Sequence, residues 1–297
     1  MKKTKIITTT LLSTLVLGTI SATTVVNAEE EVKEYNTNAA VGFEANDEPA
    51  PPVDPENPDP TEPIDPVDPI KPTDPEQPGP TPTVGPLSID FASTLYFGNQ
   101  KISTADETYF AAAQLSKNSD ETFDETTNYV QITDSRGLTE GRWELRVSQP
   151  SAFISDESKQ ELSSAKIYFT DIALVSQEGN TSKYPVLNND GFFLESGSTE
   201  IVATANEANQ GLGTWVTRFG SKGTLVENEE GKEVEIAGKT VTVKGKYAEQ
   251  TTKLSPQVRL EVPGAANKVA ELYSTKIIWT LSDTPDNGEE NTEGDTL

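Results

Sequence analysis

The chain has 297 residues, 48 acidic against 23 basic, with no cysteine and no histidine, and a formal charge of −25. The two absences exclude Ser-His-Asp and Cys-His nucleophiles, disulfide staples and zinc sites with nitrogen or sulfur ligands. The charge argues against nucleic acid as a partner, because an acidic surface repels phosphates.

At the N-terminus, Met1–Lys5 holds three lysines, Ile6–Ile20 is apolar, and Val26-Asn27-Ala28 ends on a small residue. This is the build of a secretory signal peptide, too short and too rich in Thr to span a bilayer. Residues 1–28 are expected to be removed on export, and cysteine-free export is associated with Gram-positive bacteria. Residues 29–48 form a short acidic segment. Residues 49–86 hold fifteen of the twenty prolines, interleaved with acids as in PVDPENPDPTEPIDPVDPIKP. Proline locks φ and removes a donor, so a disordered Pro-rich linker is expected there. As polyproline II it would span on the order of 110 Å.

Residues 87–285 read as one domain. Arg142, Glu144 and Arg146 alternate with Trp143, Leu145 and Val147, the period of a strand with one buried face. Lys166–Val175, Lys239–Gly245, Gln257–Val262 and Tyr273–Leu281 also read as strands. Asp-Ser-Arg-Gly, Asn-Asp-Gly and Val-Pro-Gly punctuate them as turns. Ser155–Ser164 reads as a helix with Ser155 as N-cap. Many short strands without βα alternation indicate an all-β fold, an antiparallel β-sandwich of immunoglobulin-like or jelly-roll-like type. Residues 286–297 are acidic and expected to be a disordered tail. No sortase signal or lipobox cysteine is visible, so attachment without a covalent anchor is expected.

Two of the three tryptophans occupy the same frame, Trp143-Glu144-Leu145 and Trp279-Thr280-Leu281. Residues i and i+2 of a strand share a face, so Trp143 pairs with Leu145 and Trp279 with Leu281. Tyr273, Thr275 and Ile277 continue the second face, and two adjacent strands building one feature would explain the repetition. Two readings remain. Either these faces are core, with each buried indole N–H needing an acceptor, or the sheet is partly open and they form a stacking platform.

Catalytic chemistry finds little support. Any two of the many acids can meet glycosidase spacing by chance. Asn188-Asn189-Asp190-Gly191 with Glu195 lacks the spacing of a calcium loop. No catalytic residue, metal ligand or cofactor is assigned, and the chain is not expected to be an enzyme.

Several ordered blocks resemble one family. They are LSIDFASTLYFGNQKI (Leu87–Ile102), VQITDSRGLTEGRWELRVSQ (Val130–Gln149), TWVT (Thr214–Thr217), LEVPG (Leu260–Gly264) and YSTKIIWTLSDTP (Tyr273–Pro285). Together they resemble the WxL domain of surface proteins of low-GC Gram-positive bacteria. The resemblance implies non-covalent attachment to the cell wall, with peptidoglycan or another wall glycan as ligand and both frames, Trp143/Leu145 and Trp279/Leu281, needed for binding. It also implies other WxL proteins, a membrane-anchored surface protein with immunoglobulin-like domains, and a host matrix protein as partners. The alternative is a subunit of a surface complex or an adhesin, held by that membrane-anchored partner, with the Trp frames as core.

Overall fold

A computed structural model describes residues 35, 37–73 and 81–283. The expected signal peptide, residues 29–34 and 36 of the acidic segment, residues 74–80 of the Pro-rich stretch, residues 284–285 and the acidic tail lie outside the described residues. Residues 1–42 and 43–297 form two separate units, and in the first the described residues are exposed.

The second unit is built from strands. The first are β1 (Pro66–Val67), β2 (Leu87–Ala92), β3 (Glu107–Ala112), β4 (Gln114–Lys117), β5 (Phe123–Thr126), β6 (Asn128–Asp134) and β7 (Trp143–Gln149). Next come β8 (Phe153–Ser155), β9 (Glu161–Leu162), β10 (Lys166–Phe169), β11 (Ile172–Ser176), β12 (Val186–Leu187), β13 (Phe192–Leu194) and β14 (Ser198–Ala205). The chain closes with β15 (Gly213–Phe219), β16 (Val226–Glu227), β17 (Glu233–Ile236), β18 (Lys239–Thr242), β19 (Lys253–Val262), β20 (Tyr273–Ser274) and β21 (Ile278–Ser282). Every strand pairing is antiparallel, as the all-β sandwich reading expects.

Three sheets enclose the main core. Their orders are β11-β15-β6-β2, β12-β14-β7-β21 and β13-β10-β19-β16, with β3 also on β19. Each sends its apolar alternate residues inward: Val130, Ile132, Trp215 and Phe219 from the first, Trp143, Leu145 and Val147 from the second, Ile167, Phe169, Val258 and Leu260 from the third. Period-2 patterning therefore sets which side of each strand is buried.

Three local readings change. The run Lys166–Val175 is two strands, because Asp171 takes φ 51° and turns the chain from one sheet into another. Tyr273–Leu281 likewise divides, β20 joining β8 and β21 joining β7. The helix expected at Ser155–Ser164 is a β8–β9 hairpin. There the Ser155 hydroxyl accepts from Gln160 N at 2.8 Å, and the Glu271 carboxylate accepts from Glu157 N and Ser158 N. Lys159 sits at φ 57°, which a helix cannot use, while Phe153 and Leu162 both reach the core.

The Pro-rich stretch is the largest correction. In place of a free spacer, its described residues lie as a strap across the outer face of the β11-β15-β6-β2 sheet. Val53, 1% exposed, fills a hollow lined by Phe91, Tyr129 and Val216, with Ile64 and Val175 packed beside it. Gln131 replaces the missing ladder: its Oε1 accepts from Val53 N at 2.9 Å and its Nε2 donates to Pro51 O at 3.0 Å. Lys222 pairs with Asp54 at 2.9 Å, and Pro66–Val67 adds a short edge strand to β4. Attachment begins inside the acidic segment, where Asn46 N donates to Ser135 O. Proline loses nothing here, since a strap bonded by side chains needs few N–H donors.

Asp90 anchors the strap. Its buried carboxylate accepts from Ser88 Oγ and Thr133 Oγ1, both at 2.6 Å, from Gln131 Nε2 at 3.1 Å and from Ala50 N at 3.3 Å. Burial raises its pKa above the ordinary 3.8, against the downward pull of those four bonds. A group that holds its proton more tightly when folded contributes stability below the ordinary value, and this is lost as pH rises through the raised one. The wild-type melting point is thus expected to fall relative to Asp90→Asn as the pH rises above the ordinary carboxylate value and through the raised one. A rise relative to the variant would contradict it.

Candidate functional site

The two Trp-x-Leu frames meet. Strands β7 and β21 pair with Leu281 opposite Leu145 and Trp279 opposite Val147, so both frames share one sheet face. That face is turned inward. Trp143 is 0% and Leu145 1% exposed, while Trp279 and Leu281, on the edge strand, are half-buried against the same core.

Each buried indole has its acceptor. Trp143 Nε1 donates to Gly211 O at 3.2 Å, and Trp215 Nε1 donates to the next carbonyl, Leu212 O, at 3.1 Å. One short loop therefore satisfies two tryptophans. Gly211 has φ 71°, and a Cβ there would stand 2.6 Å from Trp143 Nε1, so only glycine lets the loop come this close. Tyr184 meets Trp215 edge-on at 4.8 Å, and Trp279 lies 6.3 Å from the Phe219 ring.

The Asp-Ser-Arg-Gly turn fixes the entry to β7. The Asp134 carboxylate accepts from Arg136 N, Nε and Nη2, and Arg136 Nη2 also donates to Arg142 O, immediately before Trp143. The hydrogen bonds to Asp134 raise the Arg136 pKa. Between the frame residues, Glu144 and Thr280 point to the opposite face, where Glu144 pairs with Arg146. Val186, Ile201 and Ile278 are exposed; the strand register puts them on that outer face, in line with Thr204, Arg146 and Ser148.

Alternation does not single out Gln131 or Asp90. The one signal is β6 itself, Asn-Tyr-Val-Gln-Ile-Thr-Asp, where the large Tyr129 occupies an outward position and every residue is buried. Among the described residues, no group of three or more acidic side chains could hold a metal ion, and no helix is long and apolar enough to cross a membrane.

A family model described as WxL domain surface cell wall-binding matches residues 30–285, from before the strap to beyond the second frame. No curated protein and no solved structure matches the chain.

Proposed function

The chain belongs to the WxL-domain surface cell wall-binding family, and from that premise we propose that it is a secreted, non-catalytic protein held on the Gram-positive wall without a covalent bond, with peptidoglycan as ligand. The membership itself makes it a surface cell-wall-binding protein. The carrying observation is that the match runs through both Trp frames, whose strands pair within one core. We assign Trp143, Leu145, Trp279 and Leu281 to the scaffold of the binding domain. Trp143 and Leu145 have no exposed surface to offer a ligand, and Trp279 and Leu281 pack against the same core from the edge strand.

The test uses the full secreted chain and protein-stripped peptidoglycan. Most of the protein is expected in the pellet, and protein that stays in the supernatant would overturn the reading. The second reading, a subunit of a surface complex, is favoured by the exposed Val186, Ile201 and Ile278. It would be supported by binding to a membrane-anchored surface protein without pelleting on bare wall.

A further inference from the structure

We infer that a groove between the β17–β18 hairpin and the outer face of the β13-β10-β19 sheet takes the wall glycan, as an uncharged polyhydroxylated chain lying on Tyr168. This rests on the wall-binding reading and gives it a surface, since the Trp frames face the core. The groove encloses about 700 Å³, the size of a small-ligand site. Three stretches that read as strands in the sequence converge on it: Lys166–Val175, Lys239–Gly245 and Gln257–Val262.

Tyr168 is the aromatic residue of its lining, and its neighbours on the sheet hold it in place. Phe193, Tyr168 and Arg259 stand in register across three strands. The two rings are 5.5 Å apart and tilted by 41°. The Arg259 guanidinium lies 4.7 Å from the Tyr168 centroid and the Lys166 ammonium 4.1 Å from that of Phe193. Arg259 is only 5% exposed, so the ring is fixed before any ligand arrives, which lowers the cost of binding. One end is rigid too. A Cβ on Gly264 would come within 2.2 Å of Thr104 O, and Gly264 N donates to Asp106 Oδ1 at 2.8 Å.

The rims point to a neutral sugar chain. On a protein of formal charge −25, the groove matches Lys166, Lys239 and Lys244 against Asp106, Glu107 and Glu261. A polyanion finds no net attraction there. Hydroxyl groups each donate and accept, and they suit rims that offer both kinds of group side by side, as in the Lys244–Glu107 pair at 2.6 Å. Sugar rings also have an apolar face to lay on an aromatic ring. An extended peptide cannot add to the floor, because β10 and β19 are inner strands whose backbone groups are already paired, and only β18 on the rim offers a free edge.

The experiment pellets the full chain with protein-stripped wall, comparing wild type, Tyr168→Ala and Tyr168→Phe, each with its melting curve. Tyr168→Ala is expected to weaken binding at least about ten-fold and Tyr168→Phe to restore most of it. Uncharged N-acetylglucosamine oligomers should compete, and free stem peptides should not. Hydrogen exchange on wild type should show glycan-dependent protection at residues 239–242 and 261–262, a readout independent of how the variants fold. Wild type that fails to pellet overturns the wall-binding reading, and this inference with it. Wild type and a folded Tyr168→Ala pelleting equally, protection elsewhere, or competition by stem peptides alone would overturn the groove while wall binding stands.

Discussion

Trp143→Ala is expected to remove about 3–5 kcal/mol of stability, lowering the melting temperature by roughly 6–20 °C for a domain of this size. The substitution empties a fully enclosed site between Leu145, Ala205 and the Gly211 loop, and it leaves the Gly211 carbonyl without its indole donor. Neighbouring strands tied into two other sheets cannot close over the gap, so the cavity persists. Trp279→Ala is expected to cost less, about 1–2 kcal/mol, because its ring is only half-buried, on the edge strand of its sheet. Thermal melting by circular dichroism separates the two. Both variants should bind wall in proportion to the fraction folded. A Trp143→Ala protein that melts like wild type yet no longer pellets would refute the scaffold role.

The second large effect is expected at the strap. Val53→Asp puts an unpaired carboxylate into the hollow of Phe91, Tyr129 and Val216, where burying it would cost several kcal/mol. The chain avoids that cost by releasing the strap, which exposes the three apolar side chains and strips Gln131 of its backbone partners. A loss of about 2–4 kcal/mol is expected, with hydrogen-exchange protection gone from the Val53 and Ile64 amides. Proteolysis within residues 50–67 should become fast. Thr61→Ala, at an exposed position of the same stretch, should change neither measurement by more than about 0.5 kcal/mol. If Val53→Asp keeps wild-type melting and proteolysis, the segment is a free tether and its contacts do not hold it.

These two sites show how far local patterning carries. The Trp frames were legible as one-faced strands because a sheet with one buried side must alternate, and Arg-Trp-Glu-Leu-Arg-Val does so without a break. The turn Asp134-Ser-Arg-Gly was legible because its bonds run between residues two apart. The strap was not. Its composition reports what the segment does alone, which is to extend, while its position depends on an outward hollow formed by residues 38 to 163 positions further on in sequence. The hairpin at 155–164 was misread for a related reason. The polar run Ser-Asp-Glu-Ser-Lys-Gln-Glu suits a helix locally, but the carboxylate of Glu271, distant in sequence, holds it as a turn.

From the sequence alone came the all-β class, the strand faces, the absence of histidine and cysteine chemistry, and the family to which the chain belongs. The first three depend on residue type and on spacing within a few positions, and the family on the resemblance of several ordered blocks along the chain. The tertiary structure decided that the shared Trp face is turned inward, that the described part of the Pro-rich stretch is strapped to the domain through Val53, and that Tyr168, Lys239 and Glu261 border one groove. Those outcomes depend on which sheet covers which. Packing between distant strands decides that, and a period of two residues is the same whether a face meets solvent, core or ligand.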